Sequence, residues 1–136
     1  MAAEERVLIR REDDIVVSRQ RAREVAKRLG FGAVDQSRIA TAVSELARNV
    51  VRYATDGHGE VTIRELPSGA RRVGIEIVVA DEGPGIADLE QAMRDGFTSG
   101  AGMGMGLPGT KRLMDEMEID SGAGRSTVIT IRKWRR

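Results

Sequence analysis

Glu45 and Asn49 stand four residues apart in the run Ser44-Glu45-Leu46-Ala47-Arg48-Asn49. On a helix that spacing puts both on one face, one turn apart. A carboxylate and an amide oxygen so placed can serve one magnesium triphosphate. The Asn49 oxygen ligates the metal, and Glu45 polarises a hydroxyl or a water. Taken alone, the pair is also what an ordinary solvated helix face looks like. A second group is Asp81-Glu82-Gly83-Pro84-Gly85, directly after an apolar run. A carboxylate at a strand tip points into a crevice, where it can accept a hydrogen bond from the exocyclic amine of adenine. Guanine presents an acceptor at that place and is refused. Gly83 and Gly85 let the backbone turn tightly and approach a ring, although Asp and Gly also make common turns. A third group is Gly100-Ala101-Gly102-Met103-Gly104-Met105-Gly106-Leu107. Glycine at every second position exposes successive backbone N–H groups, and the helix start behind them adds positive partial charge, so Gly102, Gly104, Gly106 and Leu107 suit phosphate oxygens. The spacing is neither the dinucleotide fingerprint nor the P-loop. The plain alternative is a floppy linker. The fourth candidate is Thr127, whose hydroxyl could reach adenine or its bridging water, or could simply belong to a β-branched strand.

The elements that must position these residues follow from hydrophobic spacing. Val7-Leu8-Ile9 reads as an edge strand. Asp13 or Asp14 offers an N-cap to a helix carrying Ile15, Ala22, Val25, Ala26 and Leu29, which Gly30 closes. Asp35 caps a second helix, with the stripe Ile39, Val43, Leu46, Val50 and Tyr53; Glu45 and Asn49 lie beside that stripe. A polar loop over 55–59 follows. Strands are expected over 60–66 and 72–80, joined by the turn Pro67-Ser68-Gly69 as an antiparallel hairpin. Residues 88–94 suggest a short helix, 96–106 a glycine-rich loop, and 107–117 a third long helix with Pro108 in its first turn. Ile119 and residues 127–131 form two last strands around Gly122-Ala123-Gly124. The result is an α+β fold, a two-layer sandwich with one mixed, mostly antiparallel sheet and helices on one face.

The chain has 136 residues, the size of one domain, and the whole of 1–136 is read as one. Forty per cent are hydrophobic and 32% charged, enough for a core and too ordered in pattern for disorder. Lys and Arg number 22 against 21 Asp and Glu, a net charge of +1, which speaks against nucleic acid as a partner. Arg19, Arg21 and Arg23 form a basic cluster that reads as solvated surface or as a seat for an acidic partner. Arg132, Lys133, Arg135 and Arg136 read as solvated surface. The absence of cysteine removes thiolate chemistry and disulfides and fits a reducing compartment. No apolar stretch is long enough for a membrane span, and Met1 to Arg6 carry no signal-peptide pattern, so a cytoplasmic protein is expected. Aromatic residues make up only 3%, which leaves the core to aliphatic side chains.

In this order, the four groups resemble the nucleotide site of the GHKL (Bergerat) ATPase superfamily. Glu45 and Asn49 match its N box, Asp81, Gly83 and Gly85 its first glycine box, and Gly102, Gly104 and Gly106 its second. Thr127 matches the threonine of the last box, with Ser126 where glycine is usual. The segments 28–36, 44–49 and 112–116 further resemble the anti-sigma-factor-type serine/threonine kinases, closest to switch kinases of the RsbT kind. That resemblance implies ATP and Mg2+ as cofactors, with Asn49 on the metal and Glu45 as the catalytic base. It implies STAS-domain partners of the RsbS and RsbR kind, assembled in a stressosome, and a downstream regulator of the RsbU kind. Two alternatives remain: an anti-sigma factor of the RsbW or SpoIIAB kind, and a nucleotide-gated binding module without turnover. A histidine-kinase ATPase half is disfavoured, since the sole histidine, His58, lies in a polar loop.

Overall fold

Alternation of apolar and polar residues in two neighbouring runs produces the longest hairpin of the fold. In the computed structural model, which describes residues 4–53, 58–68, 72–81, 106–121 and 126–136, strands β2 (Gly59–Ser68) and β3 (Arg72–Asp81) pair antiparallel from end to end. Before them come β1 (Glu4–Ile9), α1 (Asp13–Arg28) and α2 (Ala33–Tyr53), and after them α3 (Gly106–Leu113), β4 (Glu116–Asp120) and β5 (Thr127–Trp134). The five strands make one sheet in the order β1-β2-β3-β5-β4. Every pairing among them is antiparallel, so the expected mixed sheet is in fact uniform. β1 lies at an edge, as its short run implied.

The side-chain period of two gives the sheet a dry face and a wet face. Val7, Ile9, Val61, Ile63, Ile75, Ile77, Val79, Ile129 and Ile131 point to the dry face and are buried against the helices. From the helices come Ala22, Val25 and Ala26 of α1 and Ile39, Val43, Leu46 and Val50 of α2. The expected two-layer α+β sandwich is thus realised, with a core that is almost wholly aliphatic. The wet face carries Arg64, Glu76 and Arg132 among others.

α1 ends in a Schellman turn. Gly30 adopts φ +88, its N–H donates to Lys27 O at 3.0 Å, and the Phe31 N–H donates to Ala26 O at 3.0 Å. Two expected caps take other roles. Asp14 Oδ2 accepts the N–H groups of Arg10 and Arg11 upstream of α1, at 2.9 and 3.2 Å, while the residue at the N-cap, Glu12, makes no side-chain cap bond. α2 begins at Ala33, where the Gly32 carbonyl accepts Gln36 N–H at 2.9 Å; Asp35 lies inside the first turn and pairs with Arg38 at 3.2 Å. A carboxylate there still favours the positive helix end.

The third helix is shorter than its sequence suggested. It stops at Leu113, and Met117 belongs to β4. The reason lies in Glu116-Met117-Glu118-Ile119-Asp120, whose strict alternation suits an edge strand laid on β5. Met117 and Ile119 pair there with Ile131 and Ile129. The C-terminal basic run is solvated surface only at its end, where Arg135 and Arg136 are exposed. Lys133 is only 5% exposed, and Arg132 is bonded to Glu76 at 2.8 Å. Of the expected turn Pro67-Ser68-Gly69, Pro67 and Ser68 instead continue β2 and pair with Val73 and Arg72. Gly106, expected to close the glycine-rich loop, opens α3. Gly69, the expected short helix over 88–94, the rest of the loop over 96–105 and the turn Gly122-Ala123-Gly124 lie outside the described residues.

Candidate functional site

The C-terminal half of α2 supplies two of the expected groups. Leu46, Ala47 and Val50 are buried, while Glu45, Arg48 and Asn49 are half-buried along the rim of the same helix. The polar strip therefore flanks the core stripe, as the spacing implied. Glu45 Oε1 accepts a hydrogen bond from Arg48 Nη1 at 2.7 Å, with side-chain exposures of 12% and 34%.

The second contribution is the end of β3. Asp81 is the last residue of that strand and is paired in register with Thr127, the first residue of β5, and with Gly59, the first residue of β2. Thr127 is buried, and its hydroxyl lies 2.7 Å from that of Ser121. An acid and a hydroxyl thus sit side by side at one end of the sheet.

Gly59 joins these two contributions. A Cβ placed on it would fall 2.5 Å from the Ala80 carbonyl oxygen, 2.7 Å from Val50 Cγ1 and 3.3 Å from Asp81 Cβ. Only a residue without a side chain lets Val50, the neighbour of Asn49, come this close to the strand that ends in Asp81. The α2 rim and the strand tip are brought to one place by that contact. Gly59 and Ser121 were both missed from the sequence. In the sequence Gly59 reads as the end of a polar loop, and nothing local distinguishes it from a turn glycine, whereas in the fold it opens β2. Ser121 directly follows β4, and its hydroxyl meets that of Thr127 at the start of β5, a contact no local pattern reveals.

α3 opens with Gly106 at φ +67, followed by buried Leu107. Thr110, fully buried, donates its hydroxyl to the Gly106 carbonyl at 3.0 Å and fixes the first turn. Pro108 in that turn costs no hydrogen bond. Gly83, Gly85, Gly102 and Gly104 lie outside the described residues. The amide oxygen of Asn49 is a hard donor of the kind magnesium accepts, and among the described residues no three acidic, His or Cys side chains cluster as a cage. A magnesium held by one protein oxygen plus substrate phosphates is a usual arrangement for that ion, so the donor set fits.

Residues 10–133 match the family model described as a histidine kinase-like ATPase domain. Over 130 residues the chain is 51% identical to the serine/threonine-protein kinase RsbT of Bacillus subtilis, covering 96% of both sequences. The chain belongs to the histidine kinase-like ATPase family, in its RsbT serine/threonine-protein kinase branch. Two further relatives are less similar. An anti-sigma F factor of Thermoanaerobacter sp. is 37% identical, with 71% of this chain and 68% of that protein covered. The serine-protein kinase RsbW of Bacillus pumilus is 34% identical, over 78% and 70%. Among solved structures, the RsbU and RsbW domains of a Mycobacterium tuberculosis protein align with a TM-score of 0.62 at 21% identity, over 100% of this chain and 33% of that one. The mycobacterial sensor histidine kinase MprB aligns at 0.58 and 23%, over 98% and 99%. These two likenesses establish the fold alone. As a member of a kinase-like ATPase family the chain uses ATP. No helix among the described residues is long and apolar enough to cross a membrane.

Proposed function

We propose that this protein is a cytoplasmic, single-domain switch kinase that transfers the γ-phosphoryl group of ATP to a serine or threonine of STAS-domain proteins of the RsbS and RsbR kind. Released from that assembly, it binds and activates a regulator of the RsbU kind. The observation that carries the reading is the 51% identity to RsbT along 96% of the chain. In this reading Asp81 accepts the adenine amine, and Thr127 assists it through its hydroxyl. Gly83 and Gly85 bring backbone against the ring. The amides of Gly102, Gly104, Gly106 and Leu107 face the phosphates, and Asn49 holds magnesium, which neutralises phosphate charge when bound. Glu45 takes the proton of the incoming hydroxyl while its oxygen attacks the γ-phosphorus. The bond from that phosphorus to the bridging oxygen breaks, and its electron pair leaves with ADP. Such transfer depends mostly on positioning and charge neutralisation.

The test is to mix the protein with magnesium-ATP and candidate STAS partners and to weigh the products. One added phosphate on a partner serine or threonine is expected. Asn49→Ala should lose nucleotide binding and transfer together. Glu45→Ala should keep binding and lose transfer by about 10²–10⁴-fold, the usual worth of a general base. Near-normal transfer by Glu45→Ala removes Glu45 from that role. The similarity to anti-sigma F factors supports a second reading, direct capture of a sigma subunit; co-purification with sigma, and no phosphate on any STAS protein, would favour it. Bound ATP with neither transfer nor sigma capture would leave a nucleotide-gated binding module.

A further inference from the structure

The ion pair between Arg48 and Glu45 has no part in the reaction as described so far. An i,i+3 pair with the acid nearer the N-terminus is common on helix surfaces and contributes only tenths of a kcal/mol. This one differs in its surroundings. Glu45 is 12% exposed, with little water to solvate its charge, and Arg48 is its one ion-pair partner among the described residues. The contact is a short, charge-assisted bond of 2.7 Å to one oxygen, Oε1. Asn49 follows Arg48 immediately on the same rim.

We propose that Arg48 is a positioning residue for phosphoryl transfer, fixing Glu45 through Oε1 so that Oε2 is presented to the substrate hydroxyl. The proposal rests on Glu45 being the base. A glutamate has three side-chain torsions, and on a helix rim it samples several rotamers unless held. Arg48 removes that freedom before substrate arrives. The rate then depends on a carboxylate oxygen already aimed at the hydroxyl, and a displacement of about 1 Å at such a place costs about 10²-fold. Because Arg48 acts through the carboxylate, its contribution ends where the carboxylate is gone.

The experiment is a double-mutant cycle on the full chain. Glu45→Gln, Arg48→Gln and the double variant are compared with the natural protein for nucleotide affinity by calorimetry, and for transfer to the STAS partner with kcat and KM separated. Arg48→Gln is expected to lower kcat by ~10²-fold, with ATP affinity and KM little changed. Arg48→Lys, which retains a cation but not the planar fork, should recover part of the loss. In the Glu45→Gln background, Arg48→Gln should cost less than about twofold more, the signature of two residues acting as a unit. Full additivity of the two losses would overturn the inference, as would a normal kcat in Arg48→Gln. If Glu45→Gln itself retained normal transfer, the base assignment would fail first, a result distinguishable from failure at Arg48 alone.

Discussion

At Gly59 the space that a side chain needs is already occupied by Val50, the Ala80 carbonyl and Asp81. Gly59→Ala should therefore force α2 and the tip of β3 apart. The expected cost is about 1–3 kcal/mol of stability, as for other overpacked sites, together with weaker ATP binding. Gly32→Ala is the control, since a Cβ there meets nothing within 4 Å; both are checked by urea titration and nucleotide calorimetry. Normal ATP affinity in Gly59→Ala would show that the close approach does not position the site. Asp81→Asn should weaken ATP binding by about tenfold or more, because a pure acceptor becomes a group that also donates, and a hydrogen bond to a charged group is worth about 1.5–3 kcal/mol; unchanged affinity would remove Asp81 from the adenine role. The positions of Glu45 and Asn49 on α2, of Asp81 at the end of β3 and of Thr127 at the start of β5 were legible in the sequence, because each follows from the local period of its own element. Gly59 was not, because the atoms that exclude its side chain come from two other segments.

Elements were legible where their period was local. The stripe of α2 and the β2–β3 alternation needed only neighbouring residues, and both formed with ends that extend a few residues beyond their periodic cores. The end of α3 was decided by tertiary structure. Leu107, Met114 and Met117 fit a helical period, yet β5 offers its free edge to residues 116–120, and the sheet captures them. The junction is held by Lys133. From β5 its Nζ donates to the Leu113 carbonyl at 2.8 Å, at the C-terminal end of α3, and lies 3.9 Å from Asp35 Oδ1 and 4.0 Å from Asp115 Oδ1. A cation at a helix C-terminus complements both the orphan carbonyl and the dipole. Lys133→Met keeps the buried methylenes and removes the donor. It should destabilise the fold by about 2 kcal/mol, the scale of a charged hydrogen bond left unmade, as measured by chemical denaturation. A neutral result would mean that water replaces the ammonium at the Leu113 carbonyl.

Across the whole molecule, the wet face of the sheet is held by charge and the C-terminus ties the layers together. Glu4, Arg64, Glu76, Arg132 and Glu116 stand in one cross-strand row through all five strands, with alternating sign. Arg132 is pushed above its usual value, first by its bond to Glu76 and then by Glu118 and Glu116. Arg135 donates to the Leu29 carbonyl at the end of α1, at 2.8 Å, and its N–H bonds to Val73 O. These partners are distant in sequence, which is why the terminal run looked like plain surface. Asp115 collects three of the ties. Burial pushes its carboxyl up, but the Trp134 N–H at 2.8 Å, the Arg136 guanidinium and the Lys133 charge outweigh that and hold it below its ordinary value. A carboxyl lowered in the folded state stabilises the protein at pH above its unfolded value, and the contribution is lost as pH falls through the folded one. Asp115→Asn should therefore melt at a lower temperature than the natural protein at neutral pH, and the gap should close below about pH 4, where free aspartate takes up its proton. Melting curves from neutral pH down to about pH 3 provide the check. A gap that persists undiminished at the acid end would mean that shape and neutral hydrogen bonding, rather than the charge of Asp115, fasten the C-terminal strand to α3.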